Sequence, residues 1–277
     1  MQSLSLFNEL SEQIILTINA CNHEFHGGFW LESKIHQDYD IWMITSGRVE
    51  IQTCDLLFSA SAGDIVFFYP DCLYTASTHA SGCSFIYIHF DFFIGNQGRM
   101  LDGMNLCGIT GSQHIQEEAR FLFDAFSAHK SKQDLSAMYF KGCFMMLIAK
   151  LIMLNNNDLK GSRFPVGQSQ RDAARKLTAL EPVFLHINKH LTRALSMQEL
   201  AACANLSEKY FITYFRTLLG ITPGQFVNRL RMNRAREYIY EKTHSVKEIS
   251  ALLGYADLYT FSKAFKRFFN VSPSQFI

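Results

Sequence analysis

Two segments near the C-terminus combine basic side chains and hydroxyls at helical spacing. Phenylalanines recur four residues apart in both, as Phe211 and Phe215 and again as Phe261 and Phe265, which predicts that one face of each helix is buried. The opposite faces carry these exposed candidates: Glu208, Lys209, Ile212, Thr213 and Arg216, and Leu258, Tyr259, Thr260, Ser262, Lys263, Lys266 and Arg267. Cations and hydroxyls on one helix face bind the phosphates and base edges of nucleic acid. For any single residue, a charge that contacts only solvent is an equally good explanation. For the whole set of residues this explanation is much weaker.

Both segments belong to an internal repeat. The sequence SMQEL at 196–200 matches SVKEI at 245–249 at an offset of 49, whereas the phenylalanines and Pro223 match their counterparts at an offset of 50. Self-similarity of this kind marks a duplicated structural unit. The second copy therefore has one additional residue, which we place in its turn.

Each copy carries the signals of two helices joined by a turn. It opens with S-x-x-E, which predicts a capping box. The first helix is predicted to end at Asn205 in one copy and Gly254 in the other, because both residue types tolerate the left-handed conformation. Ser207 and Asp257 are N-cap types for the second helices. The pattern in each copy therefore predicts a helix-turn-helix.

The stretches LSEKYFITYFRTLLGITPGQFVNRLRMNRAREYI and SVKEISALLGYADLYTFSKAFKRFFNVSPSQF resemble the DNA-binding domain of the AraC/XylS family of transcription regulators. The resemblance covers about residues 180–276. It implies helix-turn-helix units at about 196–220 and 245–269, whose second helices enter the major groove. It places base contacts at Lys209, Ile212, Thr213, Tyr259, Thr260 and Lys263. Phosphate contacts are assigned to Ser207, Arg216, Asp257, Lys266 and Arg267.

Two features of this interface stay open at the level of sequence. Ile212 and Tyr259 are explained either by contact with a thymine methyl or by packing against the other unit. A helix over about 224–241 is expected to join the two units, and its arginines either touch the DNA backbone or pair with Glu237, Glu241 or nearby carbonyls. At about 1.5 Å per residue this helix is comparable in length to the roughly 34 Å between successive major grooves.

The charge distribution supports a polyanionic partner for one half only. The 277 residues have a net charge of +1, but residues 1–170 carry −7 and residues 171–277 carry +8. A basic half joined to an acidic half favours contact between the basic half and nucleic acid. Two ordinary domains of different isoelectric point would give the same totals.

The N-terminal half predicts a different architecture. Strands are expected at Ile14–Ile18, Ile41–Thr45, Val49–Thr53, Ile65–Tyr69 and Phe85–Phe90, with turns at Ser46-Gly47 and elsewhere. A helical hairpin follows over about 113–154, whose apolar surface serves either an intramolecular core or a dimer interface. The predicted fold is α+β with two domains. The short strands with regular turns predict a sandwich or barrel over about 10–95. The predicted domains are an N-terminal domain over 1–154, a linker over 155–170, and an all-α DNA-binding domain over 171–277.

The segments DYDIWMITSG, AGDIVFFYP and YIHFD resemble the cupin-like effector domain of the same family. This resemblance implies a β-barrel that binds a small molecule such as a sugar, for which aromatic and polar side chains are the expected contacts. The candidates are His26, Trp30, Glu32, Tyr39, Trp42 and Tyr74, with a place in the core or on the surface as the alternative for each. No H-x-H occurs near Asp38, and Tyr74 stands where a later histidine of metal-binding cupins would fall. No metal site, cofactor or enzymatic activity is therefore predicted.

Cysteine usage and hydropathy bear on the compartment. Seven cysteines at irregular spacing, without C-x-x-C, favour reduced thiols and a cytoplasmic protein. No signal peptide is predicted, and Lys141 and Lys150 interrupt the most apolar stretch, 138–154. The expected partners are double-stranded promoter DNA, a small-molecule effector, a second copy of the chain, and RNA polymerase if the protein activates transcription. A cupin enzyme with an accessory domain and a protein-interaction module are the competing function classes.

Overall fold

The computed structural model describes residues 7, 11, 14–53, 56–79, 81–94, 100–156, 162–165, 176 and 179–276. The chain divides into two compact units, one over Glu12–Lys176 and the other over Leu177–Ile277, and Phe7 and Ser11 belong with the second. In the described residues, the first unit contains a sheet and a pair of α-helices, and the second unit contains helices and no strand. The predicted division into a β-rich N-terminal and a helical C-terminal domain is confirmed.

The sheet of the first unit is antiparallel and contains short and long strands. They are β1 (Ile14–His26), β2 (Leu31–Lys34), β3 (Tyr39–Thr53), β4 (Leu56–Ser61), β5 (Ile65–Phe68), β6 (Tyr74–Ser77), β7 (Cys83–Ile94), β8 (Gly108–Thr110) and β9 (Ser162–Arg163). Pairing runs in the order β1-β7-β3-β5-β8-β9, with β4 and β6 on β3 and β2 on β6. Within the described residues the sheet does not close on itself into the predicted barrel.

The turn predicted at Ser46-Gly47 is wrong, because β3 continues through it as one strand. Its pairing with β7 shifts register between Ile44 and Ser46, which marks a β-bulge. Gly47 has φ +71°, and a Cβ there would lie 2.2 Å from the carbonyl oxygen of Gly82, so only glycine fits. The bulge lets the first part of β3 pair with β5 and the last part with β4 and β6.

Two helices pack on each other as the predicted hairpin, α1 (Gln116–Lys130) and α2 (Ser136–Asn156). Phe140 of α2 meets Phe126 of α1 with ring centroids 5.9 Å apart, and Phe144 meets Phe90 of the sheet at 4.9 Å. One face of α2 therefore serves an intramolecular core. By length and composition alone, Ser136–Asn155 would suffice to cross a membrane, and 44% of its most apolar window is buried in the protein.

Part of the predicted linker belongs to the sheet. Ser162 and Arg163 form β9 against β8, and the buried Phe164 packs on Phe58 with ring centroids 4.8 Å apart. The aromatic residue in the polar stretch 155–170 was the local signal for this. Residues 157–161 and 166–170 of the predicted linker lie outside the described residues.

Six helices of the second unit have both ends among the described residues. They are α3 (Glu181–Lys189), α4 (Met197–Cys203), α5 (Glu208–Leu219), α6 (Pro223–Glu241), α7 (Val246–Leu252) and α8 (Leu258–Phe269). The pairs α4–α5 and α7–α8 correspond to the two predicted helix-turn-helix units, and α6 is the predicted helix between them. A short 3-10 turn at Pro273–Gln275 follows α8.

Candidate nucleic-acid interface

Local signals begin and end the helices of both units at equivalent positions. Asn205 and Gly254 have φ +55° and +71°, and Gly220 and Asn270 end the second helices with φ +72° and +63°. All four therefore adopt the left-handed conformation that closes a helix. The predictions at Asn205 and Gly254 are confirmed.

Of the two predicted capping boxes, the one in the second helix-turn-helix unit forms and the one in the first does not. In α7, the backbone N–H of Glu248 donates to Ser245 Oγ, and the Glu248 carboxylate accepts from the backbone N–H of Ser245 at 2.7 Å. In α4, the N–H of Glu199 donates to Ser196 Oγ at 3.1 Å, but the Glu199 carboxylate has side-chain partners instead. A further capping box, between Thr222 and Gln225 at the start of α6, was not predicted.

Buried phenylalanines hold each recognition helix against its own core. In the first helix-turn-helix unit, Phe215 of α5 lies 5.6 Å from Phe226 of α6 and 6.0 Å from Phe184 of α3, measured between ring centroids. In the second helix-turn-helix unit, Phe261 and Phe265 of α8 are fully buried in a cluster that contains these residues of α6, of α7 and of the C-cap of α7: Met232, Ala235, Ile239, Ile249 and Leu253. Because α6 contributes to both cores, both helix-turn-helix units pack against this one helix.

Arg231 is a structural residue of α6. Its Nε donates to the carbonyl oxygen of Leu191 at 3.1 Å, and its guanidinium lies over the ring of Tyr255, 5.7 Å from the centroid. Burial lowers the pKa of Arg231. Arg234 pairs with Glu237 at 2.9 Å. The alternative that these arginines bind carbonyls or neighbouring acids therefore holds for both.

The predicted contact face of α5 is mostly exposed. Lys209, Thr213 and Arg216 are exposed, whereas Ile212, which was expected to be exposed, is half-buried. The Thr213 hydroxyl donates to the carbonyl oxygen of Lys209 at 3.3 Å. Ser207, at the N-cap position, is exposed and its side chain makes no capping hydrogen bond.

The predicted contact face of α8 is also mostly exposed. Tyr259 has 76% of its surface exposed, and exposed neighbours on the same helix are Thr260, Lys263, Lys266 and Arg267. Ser262, expected to be exposed, is half-buried. An exposed aromatic ring one helical turn before Lys263 can make apolar contact with a thymine methyl group.

Asp257 caps α8 and does not offer its carboxylate to phosphate. Its Oδ1 accepts from the backbone N–H of Thr260 at 2.6 Å, and its Oδ2 accepts from the Thr260 hydroxyl at 3.1 Å. These hydrogen bonds hold the pKa of Asp257 below its usual range. A negative side chain repels a phosphate, so any phosphate contact at this position comes from the backbone.

A groove of about 610 Å³ brings α8 together with the start of α6. Three cations line it, Arg229 of α6 and Lys263 and Arg267 of α8, together with these polar or small residues: Gly224, Gln225, Asn228 and Thr260. The N-terminus of a helix carries partial positive charge, which adds to the three cations. Backbone contact by the arginines of α6 was one of two alternatives left open by the sequence, but Gly224, Gln225 and Asn228 were not selected, although Thr222-Pro223-Gly224 was an available signal.

The first unit contains a second cavity, of about 350 Å³. It brings together four of the six predicted effector residues: His26, Glu32, Trp42 and Tyr74. Trp30 stacks on His26 with ring centroids 3.8 Å apart. The placement of Tyr39 in the effector site is corrected: Tyr39 is 1% exposed in the core, where its hydroxyl donates to Asp102 at 2.8 Å.

The cavity also contains residues that sequence reasoning did not select, which are Ala20, Glu24, Lys34, His36, Asp40, Phe85, Tyr87 and His89. Asp40 is fully buried, and burial raises its pKa to about 7. Its Oδ2 accepts from Trp42 Nε1 at 2.8 Å. Burial, followed by the charge of His89, lowers the pKa of His36.

Comparison with known proteins gives a family match in the C-terminal region. A family model described as "Helix-turn-helix domain" matches residues 200–277. The probable transcriptional regulator LumQ of Photobacterium leiognathi is 32% identical over 104 residues, which are 37% of this chain and 42% of that protein. The raffinose operon transcriptional regulatory protein RafR of Pediococcus pentosaceus is 32% identical over 91 residues, 33% of each chain.

One similarity extends across both units. The Msm operon regulatory protein of Streptococcus mutans is 23% identical over 288 aligned positions, which cover 100% of this chain and 98% of that protein. In contrast, the matches to LumQ and RafR span 42% and 33% of those proteins. The similarity at higher identity therefore covers 37% and 33% of this chain.

Proposed function

We propose that this chain, a member of the AraC/XylS family by its helix-turn-helix domain, is a sequence-specific DNA-binding transcription regulator that responds to a small molecule such as a sugar. One observation carries the proposal. Two helix-turn-helix units with exposed cationic second helices are packed on a single helix, α6, which enters both cores. The regulator names of LumQ, RafR and the Msm protein support it, and they also favour a non-enzymatic role.

Binding uses the second helix of each unit in a major groove. Lys209, Ile212 and Thr213 contact bases in one groove, and Tyr259, Thr260 and Lys263 in the next. Phosphates are bound by Arg216, Lys266 and Arg267, by the Ser207 hydroxyl and by the backbone at Asp257. The half-buried Ile212 offers only part of its side chain to a thymine methyl.

The connecting helix sets the separation of the two contacts. The 19 residues of α6 at about 1.5 Å each give a rod of about 28 Å. Successive major grooves on one face of the duplex are about 34 Å apart. One chain therefore contacts two adjacent grooves if the DNA bends slightly.

The N-terminal unit supplies the response to an effector. We assign it a cupin-like fold and residues 1–154, with 155–170 as linker and 171–277 as the DNA-binding domain. The wall of the cavity includes the carboxylate of Glu32 and the largely buried side chains of Trp42 and Tyr74, and polar groups in a concave, partly aromatic pocket suit a small-molecule ligand. The name of RafR refers to a raffinose operon, which makes small sugars and oligosaccharides the first effectors to test.

A homodimer is the proposed assembly. Exposed apolar side chains on α1 and α2 are Phe121, Phe123, Met138, Met146 and Met153, and apolar surface of this kind favours association. We propose a cytoplasmic location, with promoter DNA as partner and RNA polymerase contact if the protein activates transcription.

The DNA-binding proposal is tested with the full chain. Sequences selected from a random duplex pool, long enough for two major grooves, are measured by fluorescence anisotropy. Affinity is expected to fall steeply between about 50 and 200 mM salt, because several phosphates are neutralised, and one sequence motif is expected to be enriched. Absence of both salt-sensitive binding and enrichment would contradict the proposal. In the same preparation, a sugar that binds the native state raises the unfolding temperature.

A further inference from the structure

The cavity of the N-terminal unit contains a cluster of three metal-ligating side chains that come from two parts of the chain. They are His36, which precedes β3, Asp40 on β3 and His89 on β7. One potential ligand atom from each lies within 4.8 Å of the other two. Asp40 and His89 are direct partners in the β3–β7 register, so the sheet itself fixes their proximity.

Asp40 provides an independent sign that the cluster binds something. This side chain is 1% exposed. Trp42 occupies its Oδ2, whereas Oδ1 is buried without a hydrogen-bond partner among the described residues. A buried carboxylate oxygen without a partner costs free energy, and coordination to a cation removes that cost.

His89 is oriented as metal-binding histidines commonly are. Its Nδ1 lies 2.9 Å from Asp38 Oδ1, which leaves Nε2 as the ligand atom. A carboxylate that holds the other nitrogen of a ligand histidine fixes the tautomer and raises ligand basicity. Asn19 in turn donates to Asp38 Oδ2 at 2.9 Å, so the orienting carboxylate is itself held.

His36 is the ligand whose present partner must be replaced. Its Nε2 lies 3.0 Å from the Tyr74 hydroxyl and 3.8 Å from Asp40 Oδ2. Its ring is 4.4 Å from that of His89, measured between centroids. Two ligand atoms each about 2.1 Å from one ion lie at most about 4.2 Å apart, so small rotations of these side chains close the cluster.

We propose that His36, Asp40 and His89 bind one divalent transition-metal ion in this cavity. Two imidazoles and one carboxylate are a donor set for zinc, cobalt, iron or manganese. Three protein ligands leave coordination positions open, and these face the cavity in which Glu24, Tyr87 and Trp42 also lie. An oxygen of the effector or a water fills them. The inference rests on the cavity and does not depend on DNA binding.

The sequence did not reveal this site, because its ligands do not follow the H-x-H spacing of metal-binding cupins. His89 is 49 residues from Asp40 in the sequence, and only strand pairing brings them together. The expectation of no metal rested on spacing along the chain, which has no bearing on a cluster made by the β3–β7 register.

The test is Co²⁺ binding to the full chain without a histidine tag, followed by visible d–d absorption. Wild type is expected to bind one equivalent, and Zn²⁺ is expected to displace it. His89→Gln and Asp40→Asn are expected to weaken binding at least tenfold, and Asp38→Asn about 10- to 100-fold through loss of orientation. The control is His79→Gln, an exposed histidine paired with Glu50, which is expected to bind as wild type does.

Thermal unfolding measurements show which variants are folded. Zn²⁺ is expected to raise the unfolding temperature of wild type and of His79→Gln, because an ion that binds only the native state stabilises it, and to leave that of Asp40→Asn unchanged. Less than stoichiometric Co²⁺ uptake by wild type overturns the proposal. So does uptake by folded His89→Gln and Asp40→Asn equal to that of wild type.

Discussion

Glu199 and Glu248 occupy equivalent positions in the two helix-turn-helix units, but their carboxylates bind different groups. Glu248 accepts from the backbone N–H of Ser245 and completes a capping box. Glu199 accepts from Arg193, with one contact of 3.1 Å, and lies 2.6 Å from His186 Nε2. Glu199 therefore ties α4 to α3 and to the segment that follows it, a role that its counterpart does not have.

Replacing Glu199 by glutamine is expected to make stability less sensitive to acid. The hydrogen bond from Arg193, followed by that from His186, lowers the pKa of Glu199 from 4.5 to about 2. A carboxyl with a depressed folded-state pKa stabilises the protein above its unfolded pKa and loses that contribution as pH falls towards the folded value. Glu199→Gln should therefore unfold at lower temperature than wild type at pH 7, and the difference should shrink below about pH 4.5. A difference that stays constant with pH would contradict this role.

Replacing Gly254 by alanine is expected to destabilise the second helix-turn-helix unit. Gly254 has φ +71°, and a Cβ would lie 2.9 Å from Arg193 Cα and from the carbonyl oxygen of Thr192. Backbone strain and the clash should together cost about 1–3 kcal/mol in urea denaturation. Gly224→Ala is the matched control, because a Cβ at this exposed helical position meets nothing within 4 Å. It should be neutral or stabilise by up to about 1 kcal/mol. Equal losses in both variants would show that the left-handed turn is not the cause.

Two aromatic substitutions in α8 should separate stability from DNA binding. Phe265 is fully buried, so Phe265→Ala should lower the free energy of unfolding by about 3–5 kcal/mol. Tyr259 is 76% exposed; Tyr259→Ala should leave the unfolding free energy within about 0.5 kcal/mol while weakening binding to a selected DNA sequence. Unchanged DNA affinity in Tyr259→Ala would remove this ring from the interface.

The helical half could be predicted closely because its signals are local. Capping residues, left-handed positions such as Asn205 and the four-residue spacing of buried phenylalanines all act within one or two helical turns. The partners of Glu199 were missed, since they depend on how α3 packs against α4. The half-burial of Ile212 likewise depends on tertiary contacts that helical periodicity does not contain.

The sheet was less predictable from sequence. Pairing between distant strands brings Asp40 beside His89 and adds β9 to the edge, and no local pattern encodes such a register. Gly47 was interpreted as a turn because glycine favours turns and bulges alike. Tyr39 was chosen for its chemistry, but the side of the strand on which it lies places it in the core.

Charge reversal on the two recognition helices tests the central claim most directly. Lys209→Glu and Lys263→Glu are compared with Lys132→Glu, which changes the net charge equally but lies in the α1–α2 connection of the other unit. Affinity of the full chain for a selected DNA sequence is measured by fluorescence anisotropy over a salt series. Each recognition-helix variant is expected to bind about tenfold more weakly or worse, since one base contact contributes about 1–3 kcal/mol, and Lys132→Glu is expected to bind as wild type does. Binding by folded Lys209→Glu and Lys263→Glu that equals that of Lys132→Glu would contradict the account.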